Sequence, residues 1–222
     1  MGCKMGLDKK IEFMNDFDSA ANLSRSEHDK KVPITDVALT KIGPLKFATT
    51  TAEDNFFIRL CTQRVLYLAK ERNNSNEVAL TFRLNDTSQE IGITYGNDHD
   101  VDVEKDSCSY HILNGPETKL DTDFFDCVVV IAHNHPSLGT LSLQDIQFFL
   151  EHDKLRILIA VTNAGVCFSL EKLKSYSKRE AIKLFNPSID LFNTANTNKG
   201  RLDAAKAFLN NAYSCGINYS VR

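Results

Sequence analysis

Cys127-Val128-Val129-Val130-Ile131-Ala132-His133-Asn134-His135-Pro136-Ser137 is the stretch on which the reading of this fold turns. Its first five residues are an unbroken apolar, mostly β-branched run, the composition of a strand covered on both faces. Side chains two apart on an extended chain share a face, so His133 and His135 point one way and Asn134 the other. Pro136 lacks the N–H that a further ladder bond would need and ends the strand. The two imidazoles at its end can therefore converge on one ion.

Beyond a short loop, Ser142-Leu143-Gln144-Asp145 opens a segment in which Leu143, Ile146, Phe149 and Leu150 recur at the spacing of a helix with one buried face. Asp145 falls in the first turn. If the loop folds back, that carboxylate joins the histidines, giving two nitrogens and one oxygen around an ion with a fourth position open. This is the pattern of a catalytic rather than a structural zinc site. Taken singly, the parts have plainer readings. Ser-x-x-Asp before an apolar helix is a capping box, and a histidine at a strand end is commonly a hydrogen-bonded residue without a metal. Their combination is what favours a metal centre.

At these residues the chain resembles the JAB/MPN family of metalloproteases, whose JAMM motif is an upstream glutamate followed by His-x-His, a spacer and Ser-x-x-Asp. The His-Asn-His-Pro-Ser form is most similar to the RadC-like bacterial branch. The likeness covers about residues 50 to 175 and is specific at the metal site, although the spacer from His135 to Ser142 is one residue shorter than the family pattern. The resemblance implies that His133, His135 and Asp145 bind Zn2+, that Ser142 helps stabilise the tetrahedral intermediate, and that a glutamate deprotonates the metal-bound water.

Glu77 is the expected glutamate. It opens Glu77-Val78-Ala79-Leu80-Thr81-Phe82-Arg83-Leu84-Asn85-Asp86, which looks like the strand on which the family places this residue. Val78, Leu80, Phe82 and Leu84 make the apolar face, leaving Glu77 with Ala79, Thr81 and Arg83 on the other. Glu90 and Glu71 are the alternatives. Zinc held by two neutral histidines and a carboxylate lowers the pKa of its water toward ~7. The implied reaction is hydrolysis of an amide or isopeptide bond without a covalent intermediate, on a protein or peptide substrate such as a ubiquitin-like tail. Two alternatives stay open: a RadC-like protein acting on another amide or in a DNA-associated process, and a non-catalytic MPN-type scaffold.

The other elements suit an α/β (α+β) class, with a JAB/MPN-like mixed sheet flanked by helices and a helical C-terminal extension. Residues 32–45 read as extended. Thr51-Ala52-Glu53-Asp54 is a capping signal for a helix to about Glu71, and strands follow at 77–84 and 90–95, joined by a turn at 85–88. Residues 97–125 show no clear helical period, with short strands expected at 100–104 and 108–113. Their acidic residues, among them Asp98, Asp100, Asp102, Glu104 and Asp106, form either a rim that suits a basic partner or a solvated loop. His99 and His111 share no register with His133 and are not expected as ligands. Thr162-Asn163-Ala164 reads as the turn of a hairpin between 155–161 and 165–170. Residues 171–222 read as helical, with elements at Lys172–Phe185 and Leu202–Tyr213. The organisation expected is a polar tail and extended segment at 1–48, a metallohydrolase domain at 49–175 and a helical extension at 176–222.

Composition narrows the class further. At 222 residues and 42% hydrophobic, the chain can bury a substantial core. Six scattered cysteines with no Cys-x-x-Cys pair read as free thiols, Cys127 and Cys167 as core residues. A net charge of −3 supplies no electrostatic reason for nucleic-acid binding. Without a long apolar stretch or a secretory signal pattern, the expectation is a soluble, cytoplasmic protein with no membrane partner. Met1-Gly2-Cys3 begins like an acylation signal, but Gly6 stands where Ser or Thr is needed.

Overall fold

The computed structural model describes residues 30–84, 90–115 and 128–222. Six strands, β1 (Val78–Leu84), β2 (Ile91–Tyr95), β3 (Val128–His135), β4 (Leu155–Thr162), β5 (Cys167–Lys172) and β6 (Ile217–Val221), form one sheet in the order β2-β1-β3-β4-β5-β6. Among the described residues six α-helices accompany it: α1 (Asp36–Lys41), α2 (Ala52–Arg72), α3 (Ser107–Asn114), α4 (Leu143–Glu151), α5 (Lys178–Thr194) and α6 (Asn198–Leu209). The class is α/β with a mixed sheet. β3 and β4 run parallel and the other neighbours antiparallel. Parallel neighbours require a crossover, and α4 lies in the one that joins β3 to β4.

β3 is an inner strand, and its alternation divides the core. Val128, Val130 and Ala132 face α1 and α2 together with Val78, Leu80, Phe82, Ile157 and Ile159. Val129 and Ile131 face the other way, onto the layer built from α3, α4, α5 and α6. His133 and His135 continue the second set. Helices thus cover both faces, as the continuous apolar run requires, and the histidine pair emerges under α4.

Several elements differ from the sequence expectation. Within 32–45 a short helix, α1, is started by Thr35, whose side chain accepts the Ala38 N–H. Residues 100–104 and 108–113 are not strands: Val103–Lys105 is a 3-10 turn and Ser107–Asn114 is α3. Asp102 and Asp106 accept the N–H groups of Glu104 and Ser109, so acidic residues read as rim or loop serve as N-caps. Only Ser109, Ile112 and Leu113 of α3 are buried, too few positions to display a period. Lys172 ends β5 rather than starting a helix, and α5 continues through Pro187 to Thr194. Pro187 and Lys183 are exposed, so the Lys183 carbonyl that loses its donor is open to water. Meanwhile Ala181, Phe185 and Ser188 keep one face on the core.

The sequence pattern places β6 in a helical region, yet it pairs with β5 at the sheet edge after Gly216 turns at φ 80°. The second C-terminal helix lies at 198–209, and Ala204, Ala205, Phe208 and Leu209 are core residues. The hairpin of β4 and β5 and the long helix α2 lie where the sequence predicts them. The four described cysteines, Cys61, Cys108, Cys167 and Cys215, are free, and Cys167 is buried. Cys127, the polar tail and the 85–88 turn fall wholly or largely outside the described residues. Among those described, no helix is long and apolar enough to cross a membrane.

Candidate metal centre

The end of β3 and the first turn of α4 meet at three side chains. His133 Nε2 and His135 Nε2 are 3.0 Å apart. Asp145 places Oδ1 at 3.1 Å from the first and Oδ2 at 3.2 Å from the second. The three side chains are only 6, 12 and 16% exposed. The tautomer suits ligation. His135 Nδ1 lies 3.4 Å from the Gly139 carbonyl, which can only accept, so Nδ1 is the nitrogen that donates there and Nε2 is the one turned toward a metal.

Asp145 is aimed by the helix cap itself. Its backbone N–H donates to Ser142 Oγ at 3.0 Å, while the Ser142 N–H and hydroxyl donate to Oδ2 at 2.6 and 2.7 Å. The capping box and the ligand set are therefore one arrangement, because the bonds that start α4 also hold the carboxylate toward the histidines.

These residues fit a metal ion. Ligand atoms on a tetrahedral ion with bonds of ~2.0–2.1 Å are about 3.4 Å apart, close to the spacings seen here. Imidazole and carboxylate donors suit several divalent transition metals, so the set could hold a metal ion without choosing which. The electrostatics also favour a cation. Burial opposes a charged His135, but Asp145, with a smaller share from Glu77, pushes its pKa up to about 9. Burial likewise opposes the Asp145 carboxylate, yet His133 and His135 hold it well below the usual range. A metal would replace the proton that this cluster otherwise retains.

Glu77 immediately precedes β1. Extending the antiparallel register in which Ala79 faces His133 brings Glu77 opposite His135. It is 8% exposed. Burial pushes its pKa up to about 8, with His135 opposing and Asp145, Asp100 and Asp98 adding to the rise. A carboxyl of this kind can both take and return a proton near neutrality. Glu90 lies beside Ile91, which pairs with Phe82 at the far end of β1. Glu71 is half-exposed on α2 beside Lys70. Neither approaches the centre. His99 is exposed beside Asp98 and His111 is exposed on α3.

The acidic segment has two parts. Asp98 and Asp100 lie near enough to Glu77 to act on its carboxyl, whereas Asp102 and Asp106 cap the turns that follow. Asn163, which the sequence pattern marks only as a turn residue, is buried behind β3 and bonded to Asn134. An asparagine in a hairpin turn carries no signal that separates the two roles. Comparison of the chain with protein-family models, with curated proteins and with solved structures returned no match.

Proposed function

We propose that this protein is a zinc-dependent hydrolase of amide or isopeptide bonds, working as JAMM-type metallopeptidases do. The observation that carries the reading is the convergence of His133, His135 and Asp145, with Glu77 brought beside them by the neighbouring strand. A zinc ion held by His133, His135 and Asp145 would supply water of pKa ~7 and a Lewis acid for the carbonyl. Glu77 takes the proton of the attacking water and returns it to the leaving amine. A pKa raised toward neutrality suits both transfers.

Ser142 has one hydroxyl proton, and the hydroxyl donates it in a hydrogen bond to Asp145 Oδ2. Its first role is to aim that carboxylate; any help to the developing oxyanion requires that hydrogen bond to be given up. Asp98 and Asp100 at the border of the site suit a protein or peptide substrate with a positively charged group near the scissile bond.

The test is zinc stoichiometry by elemental analysis on wild type, His135→Ala and Glu77→Gln, followed by isopeptide and peptide hydrolysis. One ion per chain is expected in wild type and Glu77→Gln and none in His135→Ala, with turnover lowered ~10²–10⁴-fold in Glu77→Gln. Wild type that takes up no zinc on reloading would overturn the proposal.

A further inference from the structure

Asn134, between the two histidines, faces the opposite side of β3 and is 0% exposed. Its Oδ1 accepts the Val78 N–H at 2.7 Å, and its Nδ2 donates to the Asn76 carbonyl at 3.1 Å and to Asn163 Oδ1 at 2.8 Å. Asn76 and Val78 are the two residues that flank Glu77. One side-chain amide thus grips the backbone immediately before and immediately after the glutamate.

The strand needs such a grip. Glu77's own backbone groups turn toward the β2 side, its N–H donating to the Asn97 carbonyl and its carbonyl accepting from Gly96. Alternation then turns the Val78 N–H and the Asn76 carbonyl toward β3, where the Asn134 amide meets both. Just upstream, Asn74 and Ser75 hold φ of 50° and 58°, a left-handed conformation that L side chains adopt at a cost. The turn is tied down by Asn163, whose Nδ2 donates to the carbonyls of Ser75 and Val32 and whose N–H donates to the His135 carbonyl. An acceptor and two donors in one planar group are required of Asn134. Aspartate lacks the donors, and an apolar residue takes the partner from the buried Val78 N–H and from the partly buried Asn76 carbonyl.

We infer that Asn134 is a positioning residue for Glu77: by clamping Asn76 and Val78 it sets the carboxylate beside the His133, His135 and Asp145 centre, and Asn163 locks the clamp. The inference rests on the hydrolase reading for what Glu77 does.

Asn134→Ala is to be compared with wild type, Glu77→Gln and the double variant, all zinc-loaded, by zinc content, amide hydrogen exchange and steady-state kinetics. Asn134→Ala should keep one zinc per chain, since the histidines face the other way. It should speed exchange of the Val78 N–H at least ~10-fold while Leu80 and Phe82 are unchanged, and lower kcat ~10–100-fold with KM unaltered. In the Glu77→Gln background it should cost nothing further. Asn134→Asp, which keeps the acceptor for Val78, serves the same kinetic cycle if the alanine variant does not fold. Unchanged exchange at Val78, lost zinc, or losses that add in the double variant would overturn the clamp while an active wild type upheld the hydrolase reading. A wild type that binds zinc but hydrolyses nothing would end both.

Discussion

The two ends of α4 each meet a buried charge, and they use it differently. At the N-terminus Asp145 is shared among Ser142, His133 and His135. At the C-terminus Lys172, 0% exposed, donates from Nζ to the His152 carbonyl at 2.7 Å and lies 4.7 Å from the Phe149 ring centre and 5.1 Å from that of Tyr176. The anion at the start complements the helix dipole, as does Lys172 at the end when it carries its proton. What separates them is convergence. Lys172 shares the His152 carbonyl with the Leu155 N–H, so its hydrogen bond adds a second donor to a carbonyl already met locally at the end of a helix. Asp145 is met by two imidazole nitrogens from another element, which makes a place for an ion. A buried charge alone therefore does not make a candidate ion site; lone pairs brought together from separate elements do.

Metal dependence should belong to one end only, and this is the largest effect expected. Zinc at a thousandfold excess over its Kd should stabilise wild type by ~4 kcal/mol, a gain removed by chelator and absent in Asp145→Ala. Lys172→Met should keep the full chelator response. Chemical denaturation with and without chelator makes the comparison, and a chelator response surviving in Asp145→Ala would break it.

The C-terminal end should instead be sensitive to pH. Burial, opposed by Asp153 and reinforced by Arg156 and Lys178, lowers the Lys172 pKa from 10.5 to about 7. Between these values the unfolded chain binds the proton and the folded one releases it, so this group's contribution to stability rises with pH. The stability of wild type relative to Lys172→Met should shift in favour of wild type by about 3 kcal/mol from pH 7 to 10. A flat difference would mean that Lys172 stays charged in place.

The two capping boxes give the finest distinction. Ser142→Ala should cost about 1 kcal/mol and also weaken zinc binding ~10–100-fold, because the same hydroxyl aims Asp145. Thr51→Ala at the start of α2 removes an equivalent but exposed box with Asp54. It should cost about 0.5 kcal/mol and leave zinc affinity unchanged.

The ligand set was legible because its parts are local. An apolar run, a two-residue spacing and a four-residue cap signal its residues without reference to the rest of the chain, and β3 and α4 formed where those patterns stand. Alternation likewise separated Glu77 from the apolar face of β1. Features held by a few contacts were not legible. Only three buried positions mark α3, β6 is a five-residue edge strand, and the buried Lys172 follows a run of strand residues that reads as helix-forming beyond it.

The sequence by itself determined a covered central strand ending in two co-facial histidines, followed by a capped helix with a carboxylate in its first turn. Those properties follow from periodicity and hydrogen bonding among near neighbours. Tertiary structure alone decided that β1 pairs with β3 in a register whose extension brings Glu77 opposite His135, that Asn134 and Asn163 hold the turn before it, and that Lys172 reaches the end of α4 from β5. Each of those depends on segments far apart in the chain, whose pairing is set by the whole core rather than by any local pattern.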